Sequence, residues 1–228
     1  LLGKSEEKEN ENENEFDTFL FANRDIDEIS IPSNIKIISS YAFYDCINLT
    51  KVKIPTNSIL QTIGPYAFSN TKISSIFIPS NVSKICESAF GNCDKLIKVE
   101  IPTNSNLQTI EKDVFYFTEI EEIYFPASLR ELKEGWCHGA NMLREIDISP
   151  SNDKFIFKDN KYLLGKSEEK ENENENEFDT LLFAIRDIDE ISIPSNIKII
   201  SSYAFHDCEN LTKVKIPTNS KLQTIGPY

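Results

Sequence analysis

The fold is decided by one short stretch, Leu49-Thr50-Lys51-Val52-Lys53-Ile54-Pro55. Its apolar template, Leu/Ile-x-x-Ile/Val-x-Ile/Phe, occurs eight times, starting at Ile26, Leu49, Ile73, Leu96, Ile120, Leu143, Ile188 and Leu211. Successive starts lie 23, 24, 23, 24, 23, 45 and 23 residues apart. A fixed period of about 20 to 50 residues is typical of a solenoid, in which each unit contacts only its neighbours. The repeat is therefore predicted to be the fold.

A second apolar template follows the first in each unit and reads Ile35-x-x-Ile38-x-x-x-Ala42-Phe43-x-x-Cys46 in the first copy. The first template alternates between buried and exposed positions, as a strand with one buried face does, and Pro ends it because Pro lacks an N–H. The second template has no period of two. We expect it to form a short extended piece and then one helical or 3₁₀ turn that carries the Phe inward. Stacked copies should form a parallel sheet over one continuous core.

The chain also carries a longer duplication, because residues 1–66 recur as 163–228 with a constant offset of 162 and only a few differences. Within the 45-residue interval, two short apolar runs flank a tract of Glu and Asn. We expect inserted β-hairpin arms at 1–25 and 155–187, with Glu/Asn-rich tips too polar to order themselves. An acidic cation site is the alternative, but the tract lacks the spacing and glycine of a calcium loop.

Composition excludes several classes of partner. The chain has 24 Lys and Arg against 37 Asp and Glu, and its net charge of −13 repels phosphate backbones and anionic lipid. No nucleic acid is expected as a partner. There is no charged-then-apolar leader and no apolar run near the roughly 20 residues of a membrane helix, so we expect no membrane contact.

The chain starts at Leu1 without Met and stops at Tyr228 inside a repeat, so we expect it to be a fragment of a longer protein. The last repeats, around 211–228, would then lack a cap. Uncapped solenoid ends expose apolar core, which predicts a frayed C-terminus or end-on self-association.

Reactive side chains point to no chemistry. Three of the five cysteines, Cys46, Cys93 and Cys208, recur at one repeat position where other units carry Thr or Ala, so inert core thiols are predicted. The two histidines, His138 and His206, are expected to lie far apart, with no metal-binding or catalytic role.

No phosphate-binding glycine loop, nucleophile elbow or Cys-x-x-Cys is present, so neither an enzyme nor a cofactor is predicted. Trp136 takes the Ala position of its unit and is interpreted as a core filler.

The outward positions of the predicted sheet are the candidate binding surface. One interpretation is a solvated face with complementary charges, such as Lys98 beside Glu122 across neighbouring strands. The other rests on Phe77 and Tyr124, two aromatics expected to be exposed and separated by one strand, since aromatic anchors within a polar rim are typical of binding hot spots. The predicted protein-binding residues are Phe77, Lys98, Glu100, Glu122, Tyr124 and Arg144.

The pattern Leu-x-x-Ile-x-Ile-Pro-x-x-Val-x-x-Ile-x-x-x-Ala-Phe-x-x-Cys, carried in full by residues 73–93, resembles the BspA-like, or treponeme-type, leucine-rich repeat. The resemblance covers nearly the whole chain. It implies one mostly-β leucine-rich-repeat solenoid over 1–228, with a parallel sheet on one face and short strands and helical or 3₁₀ turns on the other. Many members have Gly after the second Ile, whereas here only Gly64 and Gly226 occupy that position.

The family occurs on host-associated bacteria and in trichomonad and amoebic protists, and the Glu/Asn tract and near-identical duplication favour a protist source. The resemblance implies a cell-surface or secreted adhesin and surface antigen in host–pathogen interaction, binding host extracellular-matrix or cell-surface proteins. The alternative is a cytoplasmic scaffold or regulatory adaptor, a compartment that free cysteines suit. Sequons at Asn48, Asn81 and Asn210 would accept glycan on a secretory route.

Overall fold

The computed structural model describes residues 1–3, 17–167 and 177–228, and the predicted Glu/Asn-rich tips lie outside these residues. We number the coils of the solenoid by their strand templates, from coil 1 at Ile26 to coil 8 at Leu211. The described strands are β1 (Leu2–Gly3), β2 (Thr18–Phe19), β3 (Glu28–Ser30), β4 (Ile37–Ile38), β5 (Lys51–Lys53), β6 (Thr62–Ile63), β7 (Ser75–Phe77), β8 (Lys84–Ile85), β9 (Lys98–Glu100), β10 (Thr109–Ile110), β11 (Glu122–Phe125), β12 (Glu131–Leu132), β13 (Glu145–Ile148), β14 (Phe155–Lys158), β15 (Tyr162–Gly165), β16 (Thr180–Ala184), β17 (Glu190–Ser192), β18 (Ile199–Ile200), β19 (Lys213–Lys215) and β20 (Thr224–Ile225).

The strands stack in two columns. The first template forms one column, made of the four-stranded sheet β13-β11-β9-β7 and the pairs β3-β5 and β17-β19, all parallel. The second forms the other, made of the seven-stranded sheet β1-β2-β4-β6-β8-β10-β12 and the five-stranded sheet β14-β15-β16-β18-β20. Antiparallel pairing occurs where the arms join, at β1/β2, β14/β15 and β15/β16. The predicted mostly-β solenoid with parallel sheets is confirmed.

One aromatic side chain per coil builds a ladder through the core. Phe43, Phe68, Phe90 and Phe115 are fully buried, and successive rings stack with centroids 4.9, 5.5 and 5.9 Å apart. Trp136 continues the ladder edge-on at 6.2 Å and is also buried, which confirms it as a core filler. Burying such a ring is worth about 1.5–3 kcal/mol, and only the coils above and below can bury it.

The chain makes hydrogen-bonded turns where a helical or 3₁₀ turn was expected, and no residue of the described ranges is helical. In coil 1, the amides of Ala42 and Tyr44 donate to carbonyls three residues back, both at 3.2 Å. The amides that alternate with these, those of Phe43 and Asp45, instead donate to backbone carbonyls of the next coil, at 2.7 and 3.0 Å. Left-handed residues four apart, Tyr41 (φ 61°) and Asp45 (φ 58°), open the turn in this way. In a helix these amides would donate to carbonyls of their own coil. Here they donate to carbonyls of the next coil and so link the two coils.

Coil 6 contains an arm in place of the second template. Strands β14 and β15 are joined at Asp159 and Asn160, whose φ values of 55° and 51° are both positive, as a type I′ hairpin turn requires. The amide of Lys161 closes this turn on the carbonyl of Lys158 at 3.0 Å. Strand β16 then pairs antiparallel with β15 and parallel with β18, which returns the chain to the solenoid.

The arm brings distant turns together. Coil 6 has no Ala-Phe turn, so the turn of coil 5 lies directly against that of coil 7. His138 stacks on Tyr203 at 4.7 Å between ring centroids and lies 5.6 Å from His206. Ser202 Oγ donates to Glu134 at 2.8 Å across the same junction. The expectation that the two histidines lie far apart is wrong, because the insertion removes the turn that would separate them.

Candidate protein-binding face

The outward side of the β7-β9-β11-β13 sheet brings the predicted binding residues together. The strand register sets opposite one another the pairs Phe77 and Glu100, Lys98 and Glu122, Tyr124 and Asp147. Arg144 immediately precedes β13 and extends the same surface. These residues therefore occupy one continuous surface over coils 3 to 6.

The two aromatics are less available than expected, because Phe77 and Tyr124 are half-buried and Tyr124 packs against the core. Neighbouring strands lie only about 4.8 Å apart, so side chains in one column cover part of each other. A partner can therefore reach only part of each ring.

Charges on this face are only partly neutralised. Lys98 pairs with Glu100 of its own strand at 2.9 Å, and this hydrogen bond raises the pKa of Lys98 above its usual value. Glu122 and Glu145 lie directly opposite each other on β11 and β13, and neither has a salt-bridge partner among the described residues. Like charges in facing positions disfavour strand pairing. Because these two carboxylates are unpaired, the face carries unbalanced negative charge.

Arg144 reaches away from these carboxylates. Its Nε lies 3.4 Å from Asp187 Oδ2, just before coil 7. The ion pair links coils 6 and 7 and removes a positive charge from the centre of the face.

Three exposed apolar side chains beside the face were missed by sequence reasoning. Ile97, Phe117 and Met142 are 45%, 49% and 44% exposed. They line two neighbouring grooves of about 410 and 760 Å³ that share Met142. Other coils carry polar residues in the positions of Ile97 and Met142, so aligning the copies by position would have found both.

The exposed side chain of Phe117 belongs to a residue with a strained backbone. Its φ is 47°, in the left-handed region that costs a bulky residue about 1–2 kcal/mol. The next coil has Gly139 at the equivalent position, where a Cβ would lie only 2.7 Å from the Phe117 ring. Other coils fill this position with residues that tolerate the conformation, namely Asp45, Asn70, Asn92, Gly139 and Asp207.

The thiols belong to the core. Burial raises the pKa of Cys86 and Cys93 to about 11 and that of Cys137 to about 12. Cys46 is also buried, and Cys208 is half-buried. The predicted packing role is confirmed, because a neutral, covered thiol behaves as a small apolar side chain.

Within residues 1–3, 17–167 and 177–228, no three His, Cys, Asp or Glu side chains converge into a possible metal-binding cluster. The same part of the chain contains no helix with the length and apolarity of a membrane span. The sequon residues Asn48, Asn81 and Asn210 are exposed, and their glycosylation stays a prediction.

Comparison with known families identifies the repeat. The protein-family model described as BspA type leucine-rich repeat region matches residues 14–144 and 173–228, in six copies. The chain belongs to the BspA-type leucine-rich repeat family. Residues 1–13 and 145–172 of this BspA-type chain are unmatched, and the second interval covers the first strand of coil 6 and part of its arm. No match is found among curated proteins.

Solved structures share the BspA-type solenoid. The pneumococcal vaccine antigen PcpA aligns with a TM-score of 0.77 and 24% identity, over 88% of this chain and 47% of that one. A leucine-rich cell surface protein from Faecalibacterium prausnitzii aligns with a TM-score of 0.66 and 24% identity, over 87% of this chain and 56% of that one. A leucine-rich repeat protein from Eubacterium ventriosum also aligns with a TM-score of 0.66 and 24% identity, over 90% of this chain and 51% of that one.

At this identity the likeness shows the fold, and the chain spans about half the length of each relative. All three relatives are bacterial, so the expected protist origin is not supported. The chain is a leucine-rich-repeat protein, and such solenoids are typically non-enzymatic protein-interaction modules.

Proposed function

We propose that this chain is a non-enzymatic recognition module, at the cell surface or secreted, that binds host extracellular-matrix or cell-surface proteins. The observation that carries the proposal is the exposed apolar set Ile97, Phe117 and Met142 beside a charged sheet face. Apolar anchors surrounded by polar groups are what stable protein interfaces use. The surface location is supported by the names of two structural relatives, a vaccine antigen and a cell surface protein.

The predicted hot-spot residues form the second half of this surface. The exposed parts of Phe77 and Tyr124 supply apolar contact, and Lys98, Glu100, Glu122 and Arg144 supply its polar rim. Met142 joins the two halves, because its groove also contains Lys98, Glu122 and Arg144. A partner that spans coils 3 to 6 would contact both.

Binding to immobilised fibronectin, laminin and collagen, and to host cells, tests the proposal. Replacing Ile97 and Met142 together with Ser should weaken binding roughly tenfold or more, since interface anchors are worth 1.4 kcal/mol and upwards. Ile47→Ser is the control, because Ile47 is an exposed apolar side chain on coil 1, away from the face. Equal loss in both variants, or no binding by the unmodified chain, would count against this function.

Antibody labelling of intact source cells tests the location. We expect a surface signal that protease removes. A signal seen only after permeabilisation would overturn the surface proposal and favour the cytoplasmic scaffold.

We also propose that the chain self-associates end-on. In coil 8, Val214 and Ile216 are 46% and 51% exposed, whereas their duplicates Val52 and Ile54 are 9% and 8% exposed. The sequence is the same at both places, and only the covering coil differs. A second copy stacked on this end would bury the same apolar side chains.

A further inference from the structure

The outward sheet is interrupted between coils 6 and 7. Strand β13 pairs with β11, and β17 pairs with β19, but within the described part of the chain β13 and β17 do not pair with each other. The arm is the cause, because its described strands β14 and β15 join the other column and neither of them joins this one. One long edge of β13 is therefore left open.

The open edge presents a backbone donor. In coils 1 and 7, the amides of Ile31 and Ile193 donate to the carbonyls of Lys53 and Lys215 in the next coil, both at 2.9 Å. Ile148 holds the same position in coil 6, and none of the described strands pairs with β13 on the side of coil 7. By analogy with Ile31 and Ile193, the amide of Ile148 is placed to donate to the carbonyl of an added strand, and this hydrogen bond would stabilise the complex.

A groove runs along this edge. Its volume is about 470 Å³, and it lies between β13 and a wall that includes Phe155, Phe157 and Phe178. The neighbouring Ile156 is exposed at the rim. A space of this size, with an apolar wall and a few polar groups, has the dimensions of a ligand site.

The chain itself shows which strand fits such an edge. Twice, a strand with Glu at its start pairs in parallel with a Lys-Val-Lys strand, β3 with β5 and β17 with β19. Lys53 reaches Glu28 at 3.4 Å, and Lys215 reaches Glu190 at 3.0 Å.

Strand β13 has the same alternation and one more carboxylate, reading Glu145-Ile146-Asp147-Ile148. Glu145 and Asp147 are exposed, and neither has an ion-pair partner among the described residues. The lysine strand that complements this pattern elsewhere is missing here.

We infer that the free edge of β13 binds an extended segment of a partner protein by strand addition, with Lys or Arg at alternate positions facing Glu145 and Asp147. Main-chain hydrogen bonds would supply affinity, and the alternating cations would supply specificity. This inference rests on the proposed protein-binding function. Its test uses a synthetic peptide instead of a host protein, so the inference and the proposed function can fail independently.

The probe is a fluorescent peptide with the sequence of residues 49–57, which contains the Lys-Val-Lys strand. We expect saturable binding by fluorescence anisotropy. Asp147→Lys should weaken binding roughly tenfold or more, because opposite charges become like charges. Glu119→Lys is the matched control, with the same charge change at an exposed carboxylate on coil 4, and should leave binding unchanged.

Two further peptides separate strand addition from charge attraction. Methylating alternate backbone nitrogens keeps both lysines but removes the pairing donors, and replacing both lysines with Glu keeps the backbone but reverses the charge. Both should lose binding. Full binding by the methylated peptide, equal loss in the Glu119 variant, or no binding by the original peptide would each overturn the inference.

Discussion

At the scale of single residues, Asp179 fastens the base of the arm. It accepts hydrogen bonds from the amide and Oγ of Ser167, both at 2.8 Å, and lies 3.4 Å from Lys198 Nζ. Burial alone would raise the pKa of Asp179, but the Ser167 and Lys198 bonds outweigh it and hold the pKa below its usual value. A pKa that is lower in the folded state stabilises the protein above the unfolded pKa, and this stabilisation is lost as pH falls through the folded value.

Asp179→Asn should therefore lower the melting temperature at neutral pH and reduce its fall towards acidic pH. Thermal melts over that range measure both effects. Asp25→Asn is the control, since its carboxylate is exposed and has no ion-pair partner among the described residues. An Asp179 variant that loses stability with acid as steeply as the unmodified chain would contradict the assignment.

Gly64 is fixed by close backbone approach. A Cβ there would lie 2.7 Å from the carbonyl oxygen of Ile38 and the nitrogen of Ser40, and backbone atoms cannot step aside as a flexible side chain can. Gly64→Ala should reduce the free energy of unfolding by about 1–3 kcal/mol, as overpacking does. Gly91→Ala, whose Cβ would meet Ser88 at an ordinary 3.4 Å, should change it far less in the same denaturant titration.

At the scale of elements, the left-handed positions of the turns replace the expected helix. Asn92 has φ 58° and an exposed side chain, and its amide donates to Tyr116 of the next coil at 2.7 Å. Asn92→Val should cost about 1–2 kcal/mol of folding free energy, because a β-branched residue resists this conformation. Asn92→Gly, which accepts it freely, should be neutral or slightly stabilising. Equal destabilisation by both changes in a denaturant titration would contradict this account.

The strands could be predicted from sequence because their period of two is the direct mark of one buried face. The turns could not, because Ala42, Phe43 and Cys46 have a spacing that a helix also produces. The deciding signal was the recurrence of Asp, Asn and Gly at one position per coil, where only a left-handed residue fits. The same reasoning applies to Asp159 and Asn160, whose type I′ turn is typical of Asn, Asp and Gly.

The candidate site shows a similar limit. Strand register placed Lys98 opposite Glu122 as expected, because register follows from the repeat. The preference of Lys98 for Glu100 does not follow from register, since it depends on which rotamers the neighbours leave free. The number of repeats between His138 and His206 also gave a wrong estimate of their separation. Coil 6 lies between them but lacks the Ala-Phe turn that would keep their rings apart.

At the scale of the whole molecule, the solenoid has no closed core, so each coil depends on the next for cover. The 162-residue duplication provides an internal comparison, because the same strand is covered in coil 2 and uncovered in coil 8. In the proposed end-on contact, the apolar side chains of coil 8 would pack against a second copy head to tail, and such a heterologous contact can extend beyond a dimer.

End-on association should therefore appear as a mass by light scattering that rises with protein concentration. Replacing Val214 and Ile216 together with Lys should return the chain to the monomer with little change in melting temperature, because both side chains are already exposed. Val52→Lys is the matched comparison at a duplicate position, and there an unpaired charge would be forced into the core and should destabilise the fold strongly. A monomer at every concentration, or association that survives both Lys substitutions, would mean that the end of coil 8 does not drive assembly.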